Sequence, residues 1–172
     1  MTIDTIPAAL RAAASRFGDD EALVDGGERV TFTGLLEKSL EAARAFVATG
    51  VGPGDRVAIW APNSATWITA SFGVYLAGAV LVPLNTRYKG EEAGHVLRTS
   101  GASVLLTVTD FLDTDLLALL DGVAGLDHLR RRVVLSGPVP AGATGWQEFL
   151  AGGRGVGAVS YTHLTLPTNR EV

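Results

Sequence analysis

The feature that most constrains this chain is an alternation of short, almost wholly apolar runs with segments of helical spacing. The runs are Arg56 to Trp60, Val80 to Pro83, Val104 to Thr107 and Val133 to Leu135. A strand with one face in water alternates apolar and polar residues, whereas these runs are apolar at nearly every position. Such strands are buried on both faces, which requires helices above and below a largely parallel sheet. The connections are then right-handed crossovers. The expected fold class is α/β, a largely parallel sheet covered by helices.

The segments between the runs carry their own signals. Thr5 caps an expected helix with apolar residues at Ile6, Leu10, Ala14 and Phe17. Ala22 to Asp25 and Arg29 to Thr31 read as a hairpin turned by Gly26 and Gly27. Thr33 starts a longer helix with Leu36, Leu40, Ala43 and Val47 on its apolar face, and Gly50 ends it. Gly52-Pro53-Gly54-Asp55 is a turn. Asn63 or Ser64 caps a helix running to about Ala77, with Gly78 as the break. Helices are also expected over Gly90 to Thr99 and over Phe111 to Leu120.

Composition narrows the function classes. The 172 residues allow one ordinary domain, and 47% hydrophobic against 19% charged residues is globular rather than disordered. Eighteen acidic and fourteen basic residues leave a net charge of -4, with no cluster suited to nucleic acid or to an anionic membrane surface. Cysteine is absent, which removes disulfides and thiolate chemistry. The opening MTIDTIPAALRAAASRF lacks the pattern of a signal peptide, so cytoplasmic localisation is expected. The most membrane-like stretch, Ile68 to Leu84, is broken by Thr69, Ser71, Gly73, Gly78 and Pro83 and reads as a buried helix and strand.

No motif assembles an active site. The glycines of Gly50 to Gly54 follow a helix and precede a strand, the reverse of a dinucleotide fingerprint. Gly153-Arg154-Gly155 follows the helical-looking Trp146 to Leu150 and reads as a linker. His95 has no metal-ligand partner at a suitable spacing, and Asp113, Asp115 and Asp121 read as caps and a polar face. Ser64 and Ser136 lack the context of a nucleophile elbow. No catalytic residue and no metal ligand is assigned.

From Val30 to Thr107 the chain resembles the start of adenylate-forming enzymes of the AMP-dependent synthetase/ligase family, acyl-CoA synthetase type. The resemblance is carried by Thr31-Phe32-Thr33-Gly34-Leu35, GVGPGDRVAI, PNS, AGAVLVPLN and SGASVLL, in that order and at matching spacing. Gly34 stands where the family usually has an acidic residue. Most of these pieces turn, cap or closely pack the backbone, with Asn63 read as the cap of the following helix. The resemblance implies the first subdomain of a larger adenylating domain, here incomplete. The implied parent enzyme is an ATP-dependent carboxylic acid–CoA ligase that forms an acyl-adenylate and then a thioester, with ATP, Mg2+ and CoA required. The family's phosphate loop, its Tyr-Gly-x-Thr-Glu segment, its ribose-binding Asp and its late lysine have no counterpart in this sequence. This chain is therefore expected to be inactive by itself, to bind none of those cofactors tightly, and to carry an aggregation-prone sheet edge. In some members the arginine after the P-L-N segment reaches a phosphate of CoA, which corresponds to Arg87. A surface charge flanking a helix is the alternative for that residue. The VPLNTRY wording resembles synthetases acting on fatty acids or on steroid-derived propionates.

Residues Val159 to Val172, VSYTHLTLPTNREV, shift abruptly in composition. They resemble the translation of a transposase-type sequencing adapter, so the expected division is 1–158 as the family segment and 159–172 as a non-native tail. Two other readings of the whole chain stay open. It could be a stand-alone CoA- or nucleotide-binding module, or a non-catalytic segment that pairs with another synthetase chain.

Overall fold

In the computed structural model, which describes residues 4–157, the runs Val57 to Trp60 and Val104 to Thr107 hide both faces. Val80 to Pro83 instead forms an edge strand with Val80 and Pro83 exposed, which corrects the expectation that it is buried on both sides. The tail from Val159 to Val172 lies outside the described residues. The elements are α1 (Ile6–Phe17), β1 (Glu21–Asp25), β2 (Glu28–Thr31), α2 (Phe32–Ala48), β3 (Arg56–Trp60), α3 (Ala65–Leu76) and β4 (Val80–Pro83). These are followed by α4 (Gly90–Ser100), β5 (Val104–Val108), a 3-10 turn (Ala118–Leu120), β6 (Arg131–Ser136), β7 (Thr144–Gly145) and α5 (Trp146–Gly152).

Strands β3 to β7 form one parallel sheet in the order β4-β3-β5-β6-β7. The chain moves from β3 outward to β4 through α3, then back across β3 to β5 through α4. Right-handed crossovers in opposite directions put α3 and α4 on opposite faces. Between β3 and β5 the direction of winding reverses, which is the switch point of a doubly wound sheet. The central strand β3 is fully buried from Val57 to Trp60, and β5 is buried throughout. The strands β1 and β2 form a separate antiparallel hairpin. It packs with α1, α2 and α3 around Leu10, Val30, Leu35, Ala43 and Leu76.

Two glycines record how tightly α2 is enclosed. A Cβ on Gly73 of α3 would lie 2.6 Å from the Ala42 Cβ, so the helices cross backbone to backbone. A Cβ on Gly153 would lie 2.5 Å from the Ala45 nitrogen. Gly153 is thus buried against α2 as the cap of α5, which corrects the linker reading of this position. Helix α5 itself is seated by aromatic contacts. Phe149 meets Phe46 edge-on at 5.1 Å and stacks with Trp146 at 5.5 Å between ring centroids.

Several sequence expectations need correction. Phe111 to Leu120 is not a helix. Leu112 and Asp113 sit at φ +49° and +58°, and Phe111 and Thr114 exchange backbone hydrogen bonds across them. Two consecutive left-handed residues cannot continue a right-handed helix, and only Ala118–Leu120 makes a single turn. Helix α3 is capped by Ser64, whose Oγ accepts the Trp67 N–H at 3.0 Å, rather than by Asn63. Helix α2 starts at Phe32 with Thr31 as its cap, two residues before Thr33. No helix among the described residues is long and apolar enough to cross a membrane.

Candidate functional site

In an open α/β sheet, ligands gather at the carboxyl ends of the strands beside the switch point, because the loops there diverge and leave a crevice. In this chain that edge is formed by Trp60, Pro83, Val108 and Ser136 with the loops that follow them. The glycines of Gly50 to Gly54 lie at the opposite, amino end of β3. There the Gly52 N–H donates to Asp55 Oδ2 at 2.9 Å, as the turn reading requires.

Across the switch point, the Thr107 hydroxyl of β5 donates to the Trp60 carbonyl of β3 at 3.1 Å. Trp60 is fully buried, so its indole N–H needs a partner, and it donates to the Asn85 carbonyl at 3.0 Å. That carbonyl also accepts the Tyr88 N–H at 3.0 Å, closing a β-turn from Asn85 to Tyr88. Within the turn, Asn85 Oδ1 accepts the Arg87 N–H at 2.9 Å. Arg87 is exposed, and its guanidinium has no hydrogen bond or ion pair among the described residues. An ionised fork of five donors with no internal partner is suited to an anion.

The neighbouring polar groups are satisfied internally. The Ser136 hydroxyl donates to the Asp110 carboxylate at 2.7 and 2.8 Å, and the Thr109 hydroxyl donates to the Pro138 carbonyl at 2.7 Å. These bonds tie the ends of β5 and β6 together and leave no activated nucleophile. His95 is exposed on α4, Asp115 caps the 3-10 turn through the Ala118 N–H at 3.0 Å, and Asp113 and Asp121 are exposed. Among the described residues no group of three or more His, Asp or Glu side chains forms a cation site.

The sequence resemblance names Arg87 as a candidate, but not the residues that hold it. The one available signal was Trp60 ending an apolar strand. A buried indole needs an acceptor, yet nothing in the sequence names one twenty-five residues away.

A parallel sheet of this winding order defines a doubly wound α/β domain. The model of the family described as "AMP-binding enzyme" matches residues 10–152, and the chain belongs to that family. It is 44% identical over 151 residues to the 3-[(3aS,4S,7aS)-7a-methyl-1,5-dioxo-octahydro-1H-inden-4-yl]propanoyl:CoA ligase of Mycobacterium tuberculosis, covering 88% of this chain and 29% of that relative. It is 39% identical over 104 residues to the long-chain-fatty-acid–CoA ligase of Salmonella typhimurium, covering 59% and 18% respectively. Among solved structures it is similar to the anthranilate CoA ligase AuaEII in complex with anthranoyl-AMP, with a TM-score of 0.77 and 25% identity over 86% of this chain and 28% of that one. The chain spans less than a third of the length of these relatives.

Proposed function

We propose that residues 10–152 form the first subdomain of the adenylating domain of an ATP-dependent carboxylic acid–CoA ligase. The observation that carries this reading is the identity of 44% with a propanoyl:CoA ligase over 88% of the chain, a stretch that overlaps the segment matched by the family model. The acid we assign is a propanoate carried on a fused-ring skeleton, as in the name of the Mycobacterium relative, with a long-chain fatty acid as the competing class.

The role of this chain in that reaction is positional. Its sheet supplies a rigid edge, and Arg87 donates to a phosphate of CoA through charge-assisted hydrogen bonds. The adenylation step needs groups that grip the ATP phosphates and a divalent cation, and no step is routed through residues of this chain for that purpose. By itself the chain is expected to form no thioester. The test is a hybrid in which residues 10–152 replace the matching stretch of the Mycobacterium relative, assayed for thioester formation dependent on ATP and CoA.

A further inference from the structure

Asn85 is held at three points, and all three bear on Arg87. Its carbonyl accepts the Trp60 indole and the Tyr88 N–H, each at 3.0 Å, while its Oδ1 accepts the Arg87 N–H at 2.9 Å. Trp60 is itself fixed, because it is fully buried in the central strand and its carbonyl takes the Thr107 hydroxyl. Immediately before the turn, the Leu84 N–H donates to the Ile59 carbonyl at 2.8 Å and extends the β3–β4 ladder. Arg87 therefore stands third in a four-residue turn that is tethered to the central strand β3.

A turn that served only to leave β4 and enter α4 would be closed by the Tyr88 bond to the Asn85 carbonyl. The carboxamide adds an Asx bond that fixes the backbone of Arg87 itself. An arginine on a mobile loop must lose backbone and side-chain freedom when it meets an anion, and a fixed turn removes the backbone part of that cost. The two acids in the first turn of α4 have other partners, Glu91 pairing with Arg98 at 3.5 Å. Glu92 Oε2 accepts the Lys89 N–H at 2.8 Å and is committed to the start of the helix.

We propose that Asn85 and Trp60 are positioning residues that hold Arg87 in the orientation in which its guanidinium meets a phosphate of CoA. This rests on the reading of Arg87 given above.

The test is a titration of the 172-residue chain, labelled with nitrogen-15, with CoA into the millimolar range, followed by NMR. The Arg87 amide and the Trp60 indole resonances should shift together and saturate. Asn85→Ala should weaken Kd by about fivefold, and Asn85→Ser, which keeps a side-chain acceptor for the same turn, should recover part of the loss. The melting temperatures of the two variants should stay close to each other, so that Kd follows the acceptor rather than general stability. Trp60→Phe should weaken Kd too, and because it opens a gap in the core the Asn85 pair decides the matter. If Arg87→Ala loses binding while Asn85→Ala keeps the wild-type Kd, the positioning role is overturned and the Arg87 contact stands. If Arg87→Ala binds as wild type, or no resonance moves at any CoA concentration, both are overturned. The hybrid ligase assay reports separately on the parent reaction.

Discussion

The Asp25 carboxylate accepts the backbone N–H of Ala65 at 2.8 Å, joining residues forty apart in the chain. Asp25 ends the first strand of the hairpin, and Ala65 is the first residue of α3. The bond satisfies a donor that the helix cannot satisfy itself, and Ser64 takes another, that of Trp67, two residues further in. It also places a negative charge at the positive end of the helix dipole. The hairpin is thereby locked to the helix that covers the main sheet.

Asp25→Ala is accordingly expected to lower stability by about 1 kcal/mol, the usual scale for losing a helix N-terminal partner. Asp25→Asn keeps an acceptor and should lose less. Urea unfolding of the two variants checks the order, which an unspecific surface charge would not produce.

Gly73→Ala tests the crossing of α2 and α3. The added methyl would stand 2.6 Å from the Ala42 Cβ, well inside contact distance, and both residues are fully enclosed. Overpacking of this kind costs about 1–3 kcal/mol. Ala42→Gly made in the same chain should return part of that loss, because it removes the atom that clashes. Thermal unfolding of the single and double variants reads the coupling directly.

Ser103 makes the opposite prediction. Its Oγ is buried and has no hydrogen-bond partner among the described residues. Removing an unsatisfied buried hydroxyl sacrifices nothing and relieves its desolvation cost. Ser103→Ala should therefore be neutral or stabilising by about 1 kcal/mol, measured by the same urea titration.

Arg87→Ala, placed in the hybrid enzyme, should raise the KM for CoA by about tenfold, the loss expected for one charge-assisted contact to phosphate. The KM for ATP, read from pyrophosphate exchange, should follow the unsubstituted hybrid. Equal KM values for CoA with and without the arginine would remove Arg87 from the site.

The parts of this fold that were legible in sequence are those where one local signal decides the outcome. Strands β3 and β5 announced themselves because strands buried on both faces carry no polar alternation. Strand β4 has the same apolar run although it lies at the sheet edge with Val80 exposed. The helix expected over Phe111 to Leu120 failed for a local reason that composition hides. The apolar residues had helical spacing, but Leu112 and Asp113 adopt left-handed backbone in a closed turn. The choice between Asn63 and Ser64 as a cap depends on a single backbone torsion, which residue type does not determine, since both side chains are good caps. In the site, Arg87 could be proposed from a sequence resemblance. The Trp60–Asn85–Arg87 arrangement could not, because it depends on β3 and β4 lying side by side in register.

The hybrid in which residues 10–152 replace the corresponding stretch of the Mycobacterium relative tests the central claim most directly. The account predicts thioester formation from the fused-ring propanoate, dependent on both ATP and CoA, with a kcat/KM within about tenfold of the unmodified relative. A hybrid that is folded and cooperative in unfolding, yet forms neither AMP nor thioester in response to the acid, would contradict it.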